Sequence, residues 1–176
     1  MSYISNMKKV ILLGKGSLAI RIAKWLNDSE DFDLVGVIPD MPEPTWSDSL
    51  GNWAKNNGFT LPESDDYNQL HPESVDIIFS VFYGKIIKED FIGRCKHIVN
   101  LHNAPLPKYR GVRPINWALK NGESYHGVTI HKITPGIDDG DILGKITYPI
   151  YPEIEEVEDV YNKALVYGYD LFKDVF

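Results

Sequence analysis

Short apolar runs alternate with helical patterns through the first half of the chain. Lys9–Leu13, with the sequence KVILL, is a continuous apolar run, which is typical of a buried parallel strand. Ser17–Asn27 follows with large apolar residues at helical spacing, which predicts an amphipathic helix. Three more strands are expected, at Leu34–Ile38, Val75–Phe82 and His97–Leu101.

Helices are expected between and after these strands. They are predicted over Asp48–Asn57, the sequence GKIIKEDFI (84–92), Pro114–Lys120 and Glu155–Phe176. Two further strands, Gly127–Ile133 and Ile142–Ile150, flank an acidic turn. Alternating strands and helices are typical of an α/β fold, so we expect a Rossmann-like, mostly parallel twisted sheet with helices on both faces.

Two polar side chains stand at the end of one predicted strand. In such sheets ligands bind at the carboxyl ends of the strands. Asn100 and His102 are two residues apart and therefore face the same side of an extended chain. An amide can donate to an oxyanion while an imidazole exchanges a proton. A polar strand end that faces solvent stays open as an alternative, because single histidines are common.

Glycines follow the first predicted strand. The sequence GKGS (14–17) allows a tight turn into a helix whose N-terminus can bind an anion. A dinucleotide fingerprint has a third glycine where this chain has Ala19. A phosphate cradle and a plain strand-to-helix turn therefore both remain open.

The turn PGIDDGD (135–141) is acidic, with three aspartates in its last four positions. Three carboxylates so close together suggest a divalent metal, but this spacing is shorter than a calcium loop requires. A carboxylate beside a histidine fixes its tautomer and favours the imidazolium. The alternative is a solvated hairpin turn, in which aspartate and glycine serve the backbone.

Composition narrows the class of partner. The chain has 18 Lys and Arg against 25 Asp and Glu, a formal net charge of −7, whereas nucleic-acid binding favours a basic surface. A small-molecule partner is therefore expected, and no nucleic acid. No apolar run approaches the ~20 residues that cross a bilayer, so no membrane is expected. The single cysteine, Cys95, excludes a disulfide scaffold and a cysteine-based zinc site, and the absence of paired cysteines fits a cytoplasmic location.

Six short motifs in one order resemble a known family. They are NLH, LPKYRG, PINWAL, NGE, GVTIH and GIDDGDIL. The order resembles the formyltransferases that use 10-formyltetrahydrofolate, among them glycinamide ribonucleotide transformylase, methionyl-tRNA formyltransferase and the sugar-nucleotide N-formyltransferases. The resemblance implies the formyltransferase fold, 10-formyltetrahydrofolate as co-substrate and no metal. It implies one catalytic domain over residues 7–176, after a short extension over residues 1–6.

The resemblance also implies site residues. Asn100 and a protonated His102 would stabilise a tetrahedral oxyanion, and Asp138 would hold His102 in its charged form. The folate would be lined by Phe82, Tyr83, Gly84, Ile87, Ile133, Gly136 and Ile137. The acceptor would be bound by Gly14, Lys15, Gly16, Ser17, Lys108, Tyr109, Arg110 and Arg113. A packing role for Tyr109 and a solvent-facing side chain for Arg113 stay open as alternatives. His131 is interpreted as structural and His126 as exposed.

Departures from the family pattern bear on the acceptor. Leu18 stands where the purine enzyme has the asparagine of its GSN turn, and Asn103 stands where many members have proline. No C-terminal domain is expected after Phe176, as in a minimal or truncated member. With the negative charge, this favours a nucleotide-linked amino sugar over glycinamide ribonucleotide or methionyl-tRNA. A homodimer stays open.

Two other functions stay open. A deformylase would keep the folate but use water as the acceptor. A non-catalytic dinucleotide-binding module would use only the GKGS turn, and it would have no need for the Asn, His and Asp set.

Overall fold

The computed structural model describes residues 7–64 and 66–176, so the expected extension over residues 1–6 lies outside the described residues. The strands are Lys8–Gly14 (β1), Phe32–Pro39 (β2), Ile77–Val81 (β3), Ile98–His102 (β4), Tyr125–Lys132 (β5) and Ile142–Pro149 (β6). The helices are Gly16–Asn27 (α1), Leu50–Asn56 (α2), Glu89–Ile92 (α3), Pro114–Lys120 (α4) and Val157–Val175 (α5). The strand order β2-β1-β3-β4-β5-β6 confirms the predicted mostly parallel α/β sheet. Within the described ranges, no helix combines the length and apolar character needed to cross a membrane.

The chain divides into two compact units, and the first ends at Val99. In this unit β1 lies between β2 and β3 and pairs with both in parallel. Interior side chains of β1 and of α1 have no exposed surface, which accounts for the apolar run and the helical pattern in the sequence. These side chains are Val10, Leu12, Leu13, Leu18, Ile22 and Leu26.

The second unit, Asn100–Phe176, is built on the antiparallel pair β5 and β6. β5 is buried on both faces from His126 to His131, whereas most of β6 is exposed or half-buried. Glu156 and Asp159 form a reciprocal capping box at the start of α5. α5 packs against both strands, and its buried residues are Val160, Ala164, Gly168, Leu171 and Phe172.

Two local predictions are wrong. The helix expected over GKIIKEDFI includes only Glu89–Ile92, because tertiary contacts hold the preceding residues. The Gly84 N–H donates to Oδ2 of Asp40 at 2.9 Å, and the Ile86 carbonyl accepts from the Tyr67 hydroxyl at 3.0 Å.

His126, expected to be exposed, has no exposed surface. The prediction failed because β5 is covered on both faces, so side chains that point to either face of this strand are buried. Its Nε2 lies 3.0 Å from the carbonyl oxygen of Asn103, which can only accept, so this nitrogen is the donor.

Candidate active site

Four polar side chains meet in one cluster within the second unit. Oδ2 of Asp138 lies 3.5 Å from Nδ1 of His102, and Oδ1 of Asp138 lies 3.5 Å from Nε2 of His131. The side-chain nitrogen of Asn100 lies 3.3 Å from the same Nε2. The structure thus brings together the three residues that the resemblance implied as catalytic, and it adds His131.

The turn between β5 and β6 presents the carboxylate of this cluster. Asp138 has a positive φ of 48°, a left-handed conformation that aspartate tolerates better than most residues. A Cβ atom at Gly140 would collide with the carbonyl oxygen of Lys132, so close packing requires glycine there. Asp139 and Asp141 are exposed. Asp138 is the carboxylate of the turn that faces the histidines.

Backbone carbonyls assign opposite tautomers to the two histidines. Nε2 of His102 lies 3.0 Å from the carbonyl oxygen of Tyr109, so the proton of the neutral ring is on Nε2 and the lone pair on Nδ1. Nδ1 of His131 lies 2.8 Å from the carbonyl oxygen of Lys132, so its lone pair is on Nε2. Asn100 then donates through its amide nitrogen to His131.

The electrostatics of His102 differ from the prediction. Burial lowers the pKa of His102, and the Tyr109 carbonyl and the Asp138 carboxylate, which raise it, do not compensate; His131 lowers it further. This direction disfavours the charged form of His102 that the prediction assigned to the influence of Asp138. Near neutral pH His102 is a neutral ring with a basic Nδ1 that faces a carboxylate.

Asp138 is ionised beside these rings. Burial alone would raise the pKa of Asp138, but the neighbouring side chains of His131 and His102 and the Gly111 N–H together lower it. That N–H donates to Oδ2 at 2.8 Å. The cluster can therefore take up a proton on His102 and stabilise the resulting cation with a carboxylate already in place.

His131 is the residue of this cluster that the sequence reading missed. It was interpreted as structural, but it contacts both Asn100 and Asp138. A signal was present in GVTIH, where a polar residue closes an apolar strand. The same signal had marked Asn100 and His102 at the end of β4.

The GKGS turn lies in the first unit and has partners from the chain itself. Gly16 has a φ of 75°, which allows the abrupt turn into α1. The Ser17 N–H donates to Oγ of Ser47 at 3.2 Å, and Nζ of Lys15 lies 2.6 Å from Oδ2 of Asp40. A phosphate bound here would have to share or displace these partners.

The residues implied as the folate lining lie in both units. In the first unit Phe82 has a positive φ of 54°, Phe82 and Tyr83 are half-buried, and Ile87 is buried. Gly84 contributes its N–H to Asp40. In the second unit Ile133 is half-buried, whereas Gly136 and Ile137 are exposed.

The residues implied at the acceptor loop do not share one environment. Arg110 and Arg113 are exposed, and Arg113 lines a surface pocket of about 190 Å³ with Asn116, Trp117 and Lys120. Lys108 and Tyr109 instead contact Glu123, at 3.3 Å for the ammonium and 2.7 Å for the hydroxyl. The hydroxyl of Tyr109 is thus hydrogen-bonded within the protein.

Comparison with known proteins gives formyltransferases of three different descriptions. Methionyl-tRNA formyltransferase of Macrococcus caseolyticus is 32% identical over 181 residues, which cover 96% of this chain and 58% of that protein. The N-formyltransferase of Helicobacter canadensis, solved with folinic acid and dTDP-3-aminofucose, has a TM-score of 0.78 at 29% identity, covering 96% of this chain and 62% of that one. Phosphoribosylglycinamide formyltransferase of Streptococcus pneumoniae has a TM-score of 0.77 at 25% identity, covering 96% and 97%.

The chain spans less than two thirds of the length of the curated methionyl-tRNA formyltransferases that it matches, including that of Macrococcus caseolyticus. The family model described as formyl transferase matches residues 8–175, which is nearly the whole chain. This chain therefore belongs to the formyl transferase family.

Proposed function

We propose that this chain transfers a formyl group from 10-formyltetrahydrofolate to the primary amine of a small acceptor. The observation that carries the proposal is the cluster of Asn100, His102, His131 and Asp138, with its carboxylate 3.5 Å from each imidazole. Membership of the formyl transferase family supports the same reaction. The Helicobacter canadensis relative, whose structure includes folinic acid, supports a folate donor.

The reaction begins when the amine nitrogen attacks the formyl carbon and a C–N bond forms. The electron pair of the C=O bond moves to oxygen, and we assign the Asn100 amide as its hydrogen-bond donor. Nδ1 of neutral His102 accepts a proton from the attacking nitrogen. The bond from the formyl carbon to N10 of the folate then breaks, and the imidazolium returns the proton to N10. The products are a formamide and tetrahydrofolate.

Asp138 stabilises the transient charge in this sequence. Its Oδ2 faces Nδ1 of His102 at 3.5 Å, so it attracts the imidazolium once the proton arrives. The low pKa of His102 suits a group that is neutral at the start of each turnover. This assignment uses the lone pair on Nδ1, and it replaces the expected resting imidazolium.

For the folate we propose contacts along Phe82, Tyr83, Gly84 and Ile87 and along Ile133, Gly136 and Ile137. Half-buried aromatic residues such as Phe82 and Tyr83 have a face to pack against a ring while their other side stays in the protein. The exposed Ile137 adds apolar surface next to the proposed catalytic Asp138.

For the acceptor we propose an amino sugar linked to a nucleotide. Lys15 in the GKGS turn (14–17), and the exposed Arg110 and Arg113, are cations that suit phosphates. The net charge of −7 disfavours a long polyanion such as tRNA. The relative solved with dTDP-3-aminofucose is compatible with this choice. Glycinamide ribonucleotide and methionyl-tRNA are the alternatives.

The test incubates the purified protein with 10-formyltetrahydrofolate and separate acceptors. Nucleotide-linked amino sugars, glycinamide ribonucleotide and methionyl-tRNA are compared with a reaction that has no amine. Mass spectrometry of the acceptor and absorbance of the folate product report transfer. A formylated amino sugar supports the proposal. Formate release that is equally fast without amine indicates a deformylase. If 10-formyltetrahydrofolate keeps its formyl group in every reaction, formyl transfer is contradicted.

A further inference from the structure

One short main-chain segment, Lys108–Gly111, contacts both charge-carrying groups of the cluster. The carbonyl oxygen of Tyr109 accepts from Nε2 of His102 at 3.0 Å. Two residues later, the Gly111 N–H donates to Oδ2 of Asp138 at 2.8 Å. The conformation of this segment therefore determines which nitrogen of His102 carries the proton and where the carboxylate lies.

Tyr109 holds this segment in an unfavourable conformation. Its φ is 61°, a left-handed value that costs a non-glycine residue roughly 1–2 kcal/mol. Such a conformation persists only where the surroundings enforce it. At the far end of the side chain, the hydroxyl donates to Oε1 of Glu123 at 2.7 Å and accepts from Nδ2 of Asn121 at 3.1 Å.

Glu123 provides a charged anchor for that hydroxyl. It follows α4, and Nζ of Lys108 lies 3.3 Å from its Oε1, so both ends of the Lys108–Tyr109 pair attach to one carboxylate. The hydrogen bond from Tyr109, followed by that from Lys108, lowers the pKa of Glu123. The anchor therefore stays ionised across the neutral pH range.

We propose that Tyr109 and Glu123 are positioning residues, whose hydrogen bond holds the Lys108–Gly111 main chain so that His102 keeps its proton on Nε2 and its lone pair on Nδ1. Without the anchor, the Tyr109 carbonyl withdraws and Nδ1–H can donate to the Asp138 carboxylate instead. The base in the proposed reaction is then lost. The kinetic part of this inference rests on the proposed function, whereas the tautomer is a property of the free protein.

The experiment reads the tautomer directly. In long-range ¹H–¹⁵N correlation spectra of ¹⁵N-histidine-labelled protein, His102 is assigned by comparison with His102→Ala. The wild type is expected to show a protonated Nε2 and a bare Nδ1. Tyr109→Phe is expected to show a growing Nδ1–H population, and its kcat with the active acceptor is expected to fall about tenfold with little change in KM.

Three further variants separate positioning from general stability. Tyr125→Phe removes the same hydroxyl from a tyrosine that is 61% exposed, and it should leave tautomer and kcat unchanged. Glu123→Gln keeps an acceptor oxygen and should resemble the wild type, whereas Glu123→Ala should resemble Tyr109→Phe. Glu123→Ala also carries the test if Tyr109→Phe does not fold.

An unchanged His102 tautomer in both Tyr109→Phe and Glu123→Ala overturns the inference, even if their melting temperatures fall. A shifted tautomer in a protein that formylates none of the acceptors supports the positioning role and counts against the proposed function alone.

Discussion

The amide of Asn100 donates to Nε2 of His131 at 3.3 Å, and this bond fixes which way the amide faces. The direction follows from the other ring nitrogen, because Nδ1 of His131 donates to the Lys132 carbonyl at 2.8 Å. Nε2 of the neutral ring can then only accept. The nitrogen of the Asn100 amide, and not its oxygen, therefore faces the interior of the cluster.

His131→Ala is expected to reduce kcat by roughly 10- to 100-fold, because the Asn100 amide loses the acceptor that orients it. KM for the folate should change little, since the loss concerns the transition state. Steady-state kinetics with the active acceptor measure both constants. His131→Gln, which keeps an acceptor oxygen, should recover part of kcat. A variant with full kcat and a raised KM would indicate a binding role instead.

Asn100→Ala is expected to lower kcat by about 10²–10³-fold, the usual effect of removing one oxyanion donor. Asn100 is half-buried on β4, so the variant should still fold. Single-turnover measurements with saturating folate isolate the chemical step, and circular dichroism checks the fold. A well-folded variant that retains wild-type turnover contradicts the assignment of this amide.

Formyl transfer is expected to lose rate in acid as His102 is protonated. Burial lowers the pKa of His102 below the usual 6.5. The neutral base therefore persists at pH 6.5 and is lost only when the pH falls below the lowered pKa. The measurement is kcat/KM against pH from weakly acidic to weakly basic buffers. His102→Ala should be slow and lack this acid limb. An activity that rises as the pH falls through this range would support a resting imidazolium.

The free energy of unfolding is expected to fall as the pH drops below about 6.5. Burial, ahead of the effects of neighbouring groups, lowers the pKa of both His126 and His102 in the folded protein. Above 6.5 both states are neutral and the histidines contribute no pH dependence. Below it the unfolded chain binds protons that the folded chain resists, so stability is lost.

Urea titrations across this pH range measure that slope, and His126→Gln should reduce it because one of the two buried titrating groups is gone. His71→Gln is the matched control, because His71 is an exposed histidine in the first unit. A slope equal to the wild type in His126→Gln contradicts the assignment.

The sequence predicted most strand positions to within a few residues, because strong apolar runs mark strands that are buried on both faces. The helix predicted over the GKII segment was wrong because the conformation of this segment depends on hydrogen bonds to Asp40 and Tyr67, which lie far from it along the chain. The prediction that His126 is exposed was wrong because the local sequence pattern does not reveal that β5 is covered on both faces.

The sequence by itself determined that Asn100 and His102 share one side of a strand, because the two-residue period of an extended chain is a local property. It also determined the tight turn before Asp141, because glycine at position 140 permits the close packing that this turn requires. Only the tertiary structure decided the tautomer of His102, its lowered pKa and the place of His131. Each of these depends on burial or on a partner from a separate segment, as with Asn100 and His131, which are 31 positions apart in the sequence. Local patterns contain no information about such long-range contacts.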